Sequence, residues 1–345
     1  KAAEWQIHAA VWEGVMRESN GALARYRRAI EFLDRLPESA QRDKLAITAR
    51  SGVLRTSAIV RAPVEEISRV YEEGLALAKK TGDQLALAEL QIAHASVELQ
   101  HGDADLAVEQ AHEALQLARN LGQSELIARF RVPILLTYFA SGRLVEGMGA
   151  LTEPGREAWF AGPMTEDNFL SRGLRALMLT YMGKLNEARR ETRRAIEIEG
   201  ESGRTVSWMH ANLVDVARVS GHKEDAMREA LAAVSRTEHF TSPFFKALAY
   251  RSLAVAHGLN DNWRQSAEIL EEHLELVRPG APAHQFEAVH LSHLAEARFH
   301  LGEIETAQAI VQEALDSARN SHSRIWECQA LLVKSLILCS TGEHQ

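Results

Sequence analysis

Cysteine, proline and aromatic residues are all scarce in this chain, and each scarcity removes a class of explanation. Two cysteines in 345 residues cannot supply a disulfide framework. Cys328 and Cys339 stand eleven positions apart within one predicted helix, or ~16 Å along its axis, beyond the ~7 Å that a bridge spans. Unpaired thiols suit a reducing, cytoplasmic setting. Eight prolines, with no linker rich in Ser, Gly or Pro, leave few helix breakers and no obvious domain boundary. No apolar run reaches the ~18 residues that cross a bilayer, and no signal peptide opens the chain. Positive charge is also short. The net charge of −8 and isoelectric point near 6.0 disfavour direct nucleic-acid binding, which leaves a basic footprint. The chain lacks an initiator Met and is expected to be part of something larger.

Catalytic signatures are missing too. Gly183-Lys184 is followed by Leu185, so no phosphate-binding GxxxxGK[ST] loop is present, and there is no HExxH, GxSxG or paired CxxC. Neither enzymatic activity nor a cofactor is expected.

What remains is a uniform chain of Ala, Leu, Glu, Arg and Gln, which are good helix formers, too long for one globular core. It repeats. A turn residue is followed five and then twelve positions later by alanine at Gly102, Ala107, Ala114; at Gly183, Ala188, Ala195; at Gly221, Ala226, Ala233; and at Gly302, Ala307, Ala314. Weaker copies start at Asp261, with Ala267 one place late, and at Gly142, while Gly21 and Ala62 fall at matching intervals. Successive turns lie 41, 40, 40, 41, 38, 40 and 41 residues apart. Positions seven apart lie within about 20° on a helix, and alanine there lets a neighbouring helix approach closely. Glycine at the turn can take φ > 0 and end the preceding helix. Ala307, Ile310, Val311, Ala314, Leu315 and Ala318 form a helical stripe.

Each unit therefore divides into an A helix before the turn and a B helix after it, such as 85–101 with 103–120, 203–220 with 222–237, and 284–301 with 303–319. Eight pairs are expected, beginning with 2–18 and 21–36. A terminal helix near 324–340 would cap the array, and residues 1–345 form one repeat domain. Segment 151–168 departs from the pattern, with Pro154, Gly155, Gly162 and Pro163 around Trp159 and Phe160. Proline there should shorten or bend a B helix. It is either a tolerated irregular repeat or a hinge or ligand-facing bend.

The run Gly302-Glu-Ile-Glu-Thr-Ala307, with Ala314 beyond, resembles the second half of the tetratricopeptide repeat. The likeness covers nearly the whole chain and is clean in four units, which are longer than the usual 34 residues. It implies an all-α, right-handed superhelical solenoid. Longer units of this kind resemble the C-terminal sensor region of bacterial signalling ATPases, either adenylate cyclase–ATPase–repeat proteins or maltose-regulator-type transcription activators. Ala295-Glu-Ala-Arg298, Ile325-Trp326-Glu327 and Leu331-Leu332 add to that similarity. The resemblance implies a regulatory module for signal transduction or transcription, with A helices lining a concave face.

Inward positions of that family lie about 13, 10, 6 and 3 residues before each turn. Counted back here, they include Arg129 and Phe139; Trp208, Asp215 and Arg218; Arg251; and Glu296 and Phe299. Arginine forks suit carboxylates and phosphates, which makes a protein or peptide partner, preferably acidic, or a small anionic effector the expected guest. The same arginines could pair internally with Asp215 and Glu296. Self-association as a scaffold, without a ligand, is the alternative function. His284, Glu287, His290, His293, Glu296 and His300 crowd one helix, but a single helix rarely supplies more than two ligands of a zinc tetrahedron, so no metal is expected. Arg189, Arg190, Arg193 and Arg194, interspersed with Glu187 and Glu191, read as a solvated face. The six tryptophans read mostly as core packing.

Overall fold

A computed structural model describes residues 1–15, 19–57, 62–101, 103–150, 166–199, 206–237, 243–278, 281 and 283–341. Among them are seventeen α-helices and no strand. We number them α1 (Ala2–Val15), α2 (Ser19–Asp34), α3 (Ala40–Ser57), α4 (Val64–Thr81), α5 (Gln84–His101), α6 (Ala104–Asn120), α7 (Ser124–Ala140), α8 (Leu144–Ala150), α9 (Glu166–Tyr181), α10 (Leu185–Glu199), α11 (Val206–Ser220), α12 (Lys223–Thr237), α13 (Pro243–Leu259), α14 (Trp263–Glu272), α15 (Glu287–His300), α16 (Ile304–Asn320) and α17 (Arg324–Thr341). In chain order they alternate as A and B helices, and α17 follows as a final helix.

One hydrogen-bond pattern closes helix after helix. At Gly302, φ is 82°, its N–H donates to Phe299 O (2.9 Å) and the next N–H, of Glu303, donates to Arg298 O (3.0 Å). This is the six-to-one closure that an αL residue allows at a helix end. It recurs at Gly183 and Gly221, and at Asp261 (φ 62°), where aspartate takes the αL conformation that glycine holds elsewhere. Gly82 and Gly122 close B helices in the same way. The alanines that follow the turns do what the spacing requires. Ala107, Ala114, Ala188, Ala195, Ala226, Ala233, Ala307 and Ala314 are all fully buried.

The boundaries differ from expectation in places. Gly21 is no turn: α2 begins at Ser19, and Gly21 lies in its first turn. Ser19 and Asn20 favour helix starts, and the buried stripe Ala22, Leu23, Tyr26, Ala29, Ile30 and Leu33 holds the helix. The helix expected from 284 starts at Glu287, because His284–Phe286 form a tight 3₁₀ turn. Most of the irregular 151–168 segment lies outside the described residues.

Whereas the repeat count treats 1–345 as one domain, the helices gather into two units, 1–137 and 138–345. In the first, α1 to α6 pack in sequence around Tyr26, Leu33, Leu54, Ile67 and Leu90. In the second, consecutive helices pair, and each A helix from α9 also touches the next: α9 with α11, α11 with α13, α13 with α15, and α15 with α17. That A-to-A row positions the site.

Two of the tryptophans are exceptions to the core packing expected for most of them. Trp5 and Trp12 are 61% and 64% exposed. They lie seven apart on one face of α1, whose packing partners are α2 and α3.

Candidate functional site

The A helices of the second unit carry polar side chains toward one another from successive repeats. At the centre, Arg251 (α13) forks onto Asp215 (α11), Nη1 donating to Oδ1 at 3.3 Å and Nη2 to Oδ2 at 3.0 Å. Both are buried, at 5% and 2% exposure. Burial works to raise the Asp215 pKa, yet the charge and hydrogen bonds of Arg251, helped by Arg218, hold it below the usual carboxylate range. Burial likewise opposes the Arg251 charge, and Asp215 more than offsets it.

Around this pair stand a tyrosine, a second arginine and two histidines. Burial pushes the Tyr181 hydroxyl up to about 12, the Asp215 charge adding to it while Arg218 and Arg251 act against it. The Arg218 charge lies near enough to that hydroxyl to favour its ionised form. Among the described residues no carboxylate lies within ion-pair reach of Arg218, and its Nε is buried without a hydrogen-bond partner. On α15, His293 Nδ1 lies 3.5 Å from Glu296. Burial lowers the His293 pKa against the pull of Glu296. Glu296, despite its own desolvation, stays below its ordinary value beside His293 and Arg218. His290 Nε2 donates to Leu270 O at 2.7 Å, and burial brings its pKa down to about 4.

Aromatic rings border this cluster. Phe139, Tyr181 and Trp326 meet edge to face with centroids 5.5, 5.5 and 5.9 Å apart. Trp208 is buried against α9, where Gly173 leaves room. A Cβ on Gly173 would come within 3.2 Å of the indole and 2.2 Å of Met209.

Of the residues expected to meet a guest, the structure thus gathers Asp215, Arg218, Arg251 and Glu296, with Phe139 at their border through Tyr181. Trp208 packs inside the helix layer. Phe299 stacks edge-on with its neighbour His300 and packs over Ala295, Ala307 and Val311. Arg129 belongs to the first unit, where it pairs with Glu89. Counting back from turns missed three members. Tyr181 falls two residues before Gly183, off the counted stripe. Trp326 belongs to the final helix, which has no turn to count from. His293 falls nine residues before Gly302, one place off the counted tenth position.

The histidine-rich helix is used internally. His300 stacks on Trp263 at 3.9 Å, and among the described residues no three His, Cys, Asp or Glu side chains converge so as to hold a metal ion. Arg193 pairs with Glu229 at 2.7 Å, and Arg190 and Arg194 are exposed. No described helix is long and apolar enough to cross a membrane.

No protein-family model matches this sequence, and no curated protein matches it either. Solved structures do. A Rap protein complexed with competence and sporulation factor aligns over 97% of this chain and 98% of its own, at 12% identity and a TM-score of 0.59. The apo form of RapI aligns over 100% of both chains, at 10% identity and 0.58. NprR in complex with its cognate peptide NprX aligns over 86% and 85%, at 13% identity and 0.52. The fold is a tetratricopeptide-type helical repeat. At these identities the likeness concerns the fold, and function rests on the side chains.

Proposed function

We propose that this chain is a binding and regulatory module, without catalytic activity of its own, that takes an acidic peptide, protein segment or small anionic effector on the A-helix row of its second unit. Arg218 carries the proposal. Its charge acts on Asp215, Tyr181 and Glu296 from three repeats, no carboxylate of the described residues is within ion-pair reach of it, and its buried Nε has no hydrogen-bond partner. A guanidinium so placed can form charge-assisted bonds with an incoming carboxylate or phosphate. Arg251, ion-paired with Asp215, ties α11 to α13. The similar NprR structure holds a peptide, which supports a peptide guest. Binding would report to a linked signalling or transcription domain.

The test is a titration with a pool of Asp/Glu-rich peptides against the parent and Arg218→Ala. Losing a charged hydrogen bond of ~1.5–3 kcal/mol should weaken binding about tenfold or more at unchanged melting temperature. Equal affinity would move the site elsewhere. Self-association is a second reading, favoured by the exposed Trp5 and Trp12 of α1 and Leu331, Leu332 and Leu336 of α17. Light scattering that rises with concentration and is abolished by Trp5→Ser with Trp12→Ser would support it.

A further inference from the structure

In a repeat array each unit touches its neighbours, and Trp326 does not obey that rule. Its helix, α17, follows the eighth pair and packs on α15 and α16 through Ala330, Val333 and Ile337. Yet its indole, 5% exposed, rests on Phe139 from the fourth pair and Tyr181 from the fifth. The first turn of α17 is carried along: Arg324 Cβ lies 3.0 Å from the place a Cβ on Gly142 would take. On its other side the indole tilts against Phe286, 6.2 Å between centroids, which in turn meets Phe244 at 5.6 Å. Within the second unit, the last helix therefore reaches across to the first repeats through one aromatic side chain. The tyrosine it covers is the one whose hydroxyl lies within the influence of the Arg218 charge.

From this we infer that Trp326 is a tethered plug, occupying the aromatic subsite beside Arg218, and that a guest's own aromatic group takes its place. The inference rests on the reading of Arg218 as the anion contact. A guest with a ring next to its carboxylate would set the ring against Phe139 and Tyr181 and the carboxylate on Arg218, replacing the indole contact with an equivalent one. Until then the plugged state reduces the fraction of competent molecules and so the apparent affinity. Guest entry would release α17 at its first turn, giving binding a mechanical readout at the end of the repeat row.

The test uses N-acetyl-phenylalanine and its amide as probes, titrated by ligand-observed NMR against the parent chain, Trp326→Ala and Trp326→Leu. The leucine variant keeps an apolar anchor for α17 should the alanine variant melt early. Removing the indole should tighten binding of N-acetyl-phenylalanine roughly tenfold, as expected when a mostly closed site is opened. The amide should gain by the same factor but bind more weakly than the acid to every variant. Equal affinities for acid and amide, with both gaining, would keep the plug and overturn the Arg218 reading instead. Unchanged affinity, weaker affinity, or no binding by either folded variant would overturn the plug and make Trp326 a fixed wall.

Discussion

Arg251 and Asp215 show how one buried pair can organise a row of helices. Removing one partner leaves an uncompensated buried charge, which typically costs ~3–5 kcal/mol. Chemical denaturation of Asp215→Ala should therefore show a loss of that order, and a loss under ~1 kcal/mol would mean the pair does not hold α11 to α13. His290 makes a second prediction, about pH. Its folded pKa, about 4, lies below the ~6.5 of an unfolded histidine, so between those values the unfolded chain binds more protons. Stability should then fall as pH drops from about 6.5 toward 4, by up to ~3 kcal/mol from this residue. His293, also lowered, acts in the same direction. Replacing His290 with Gln should flatten the slope of stability between pH 7 and 5, and an identical slope would contradict the assignment. The resemblance to the tetratricopeptide repeat placed Arg218, Arg251, Asp215 and Glu296 at inward positions counted back from the turns. It left open whether the arginines face a guest or one another, since pairing is set by side-chain reach. The structure divides them: Arg251 is paired, and Arg218 is not.

Among the elements, the A–B contact is the most demanding. Ala307 is fully buried between α15 and α16, in the cluster of Ala295, Val311, Val333 and Ile337. Ala307→Leu should overpack it and destabilise by ~1–3 kcal/mol, and an unchanged thermal melt would contradict the register. Helix pairs were legible because turn glycines and paired alanines are sequence features with one physical use. Gly21 misled because a glycine's spacing does not reveal whether its backbone leaves the helix, and the apolar stripe of α2 kept it helical. Trp5 and Trp12 misled for a related reason: an indole's burial depends on a neighbouring helix, which α1 has on only part of its surface.

At the scale of the molecule, the repeat fold was readable from its ~40-residue period. The division at Thr137 and Tyr138 was not, because it falls inside α7 and no spacing marks it; Pro133, inside that helix, has no weight in a repeat count. Trp326 escaped notice as a site residue because a contact that skips repeats leaves no periodic trace. The chain should neither release phosphate from ATP or GTP nor change its melting temperature with EDTA, and turnover or a chelator-induced shift would contradict the reading as a binding module. The most direct test of that reading is amide hydrogen exchange with and without the Asp/Glu-rich peptide pool. Protection should rise over α11 and α15, 206–220 and 287–300, and the rise should vanish in Arg218→Ala. Protection confined to the B helices α10, α12 and α16, or unaffected by that substitution, would contradict it.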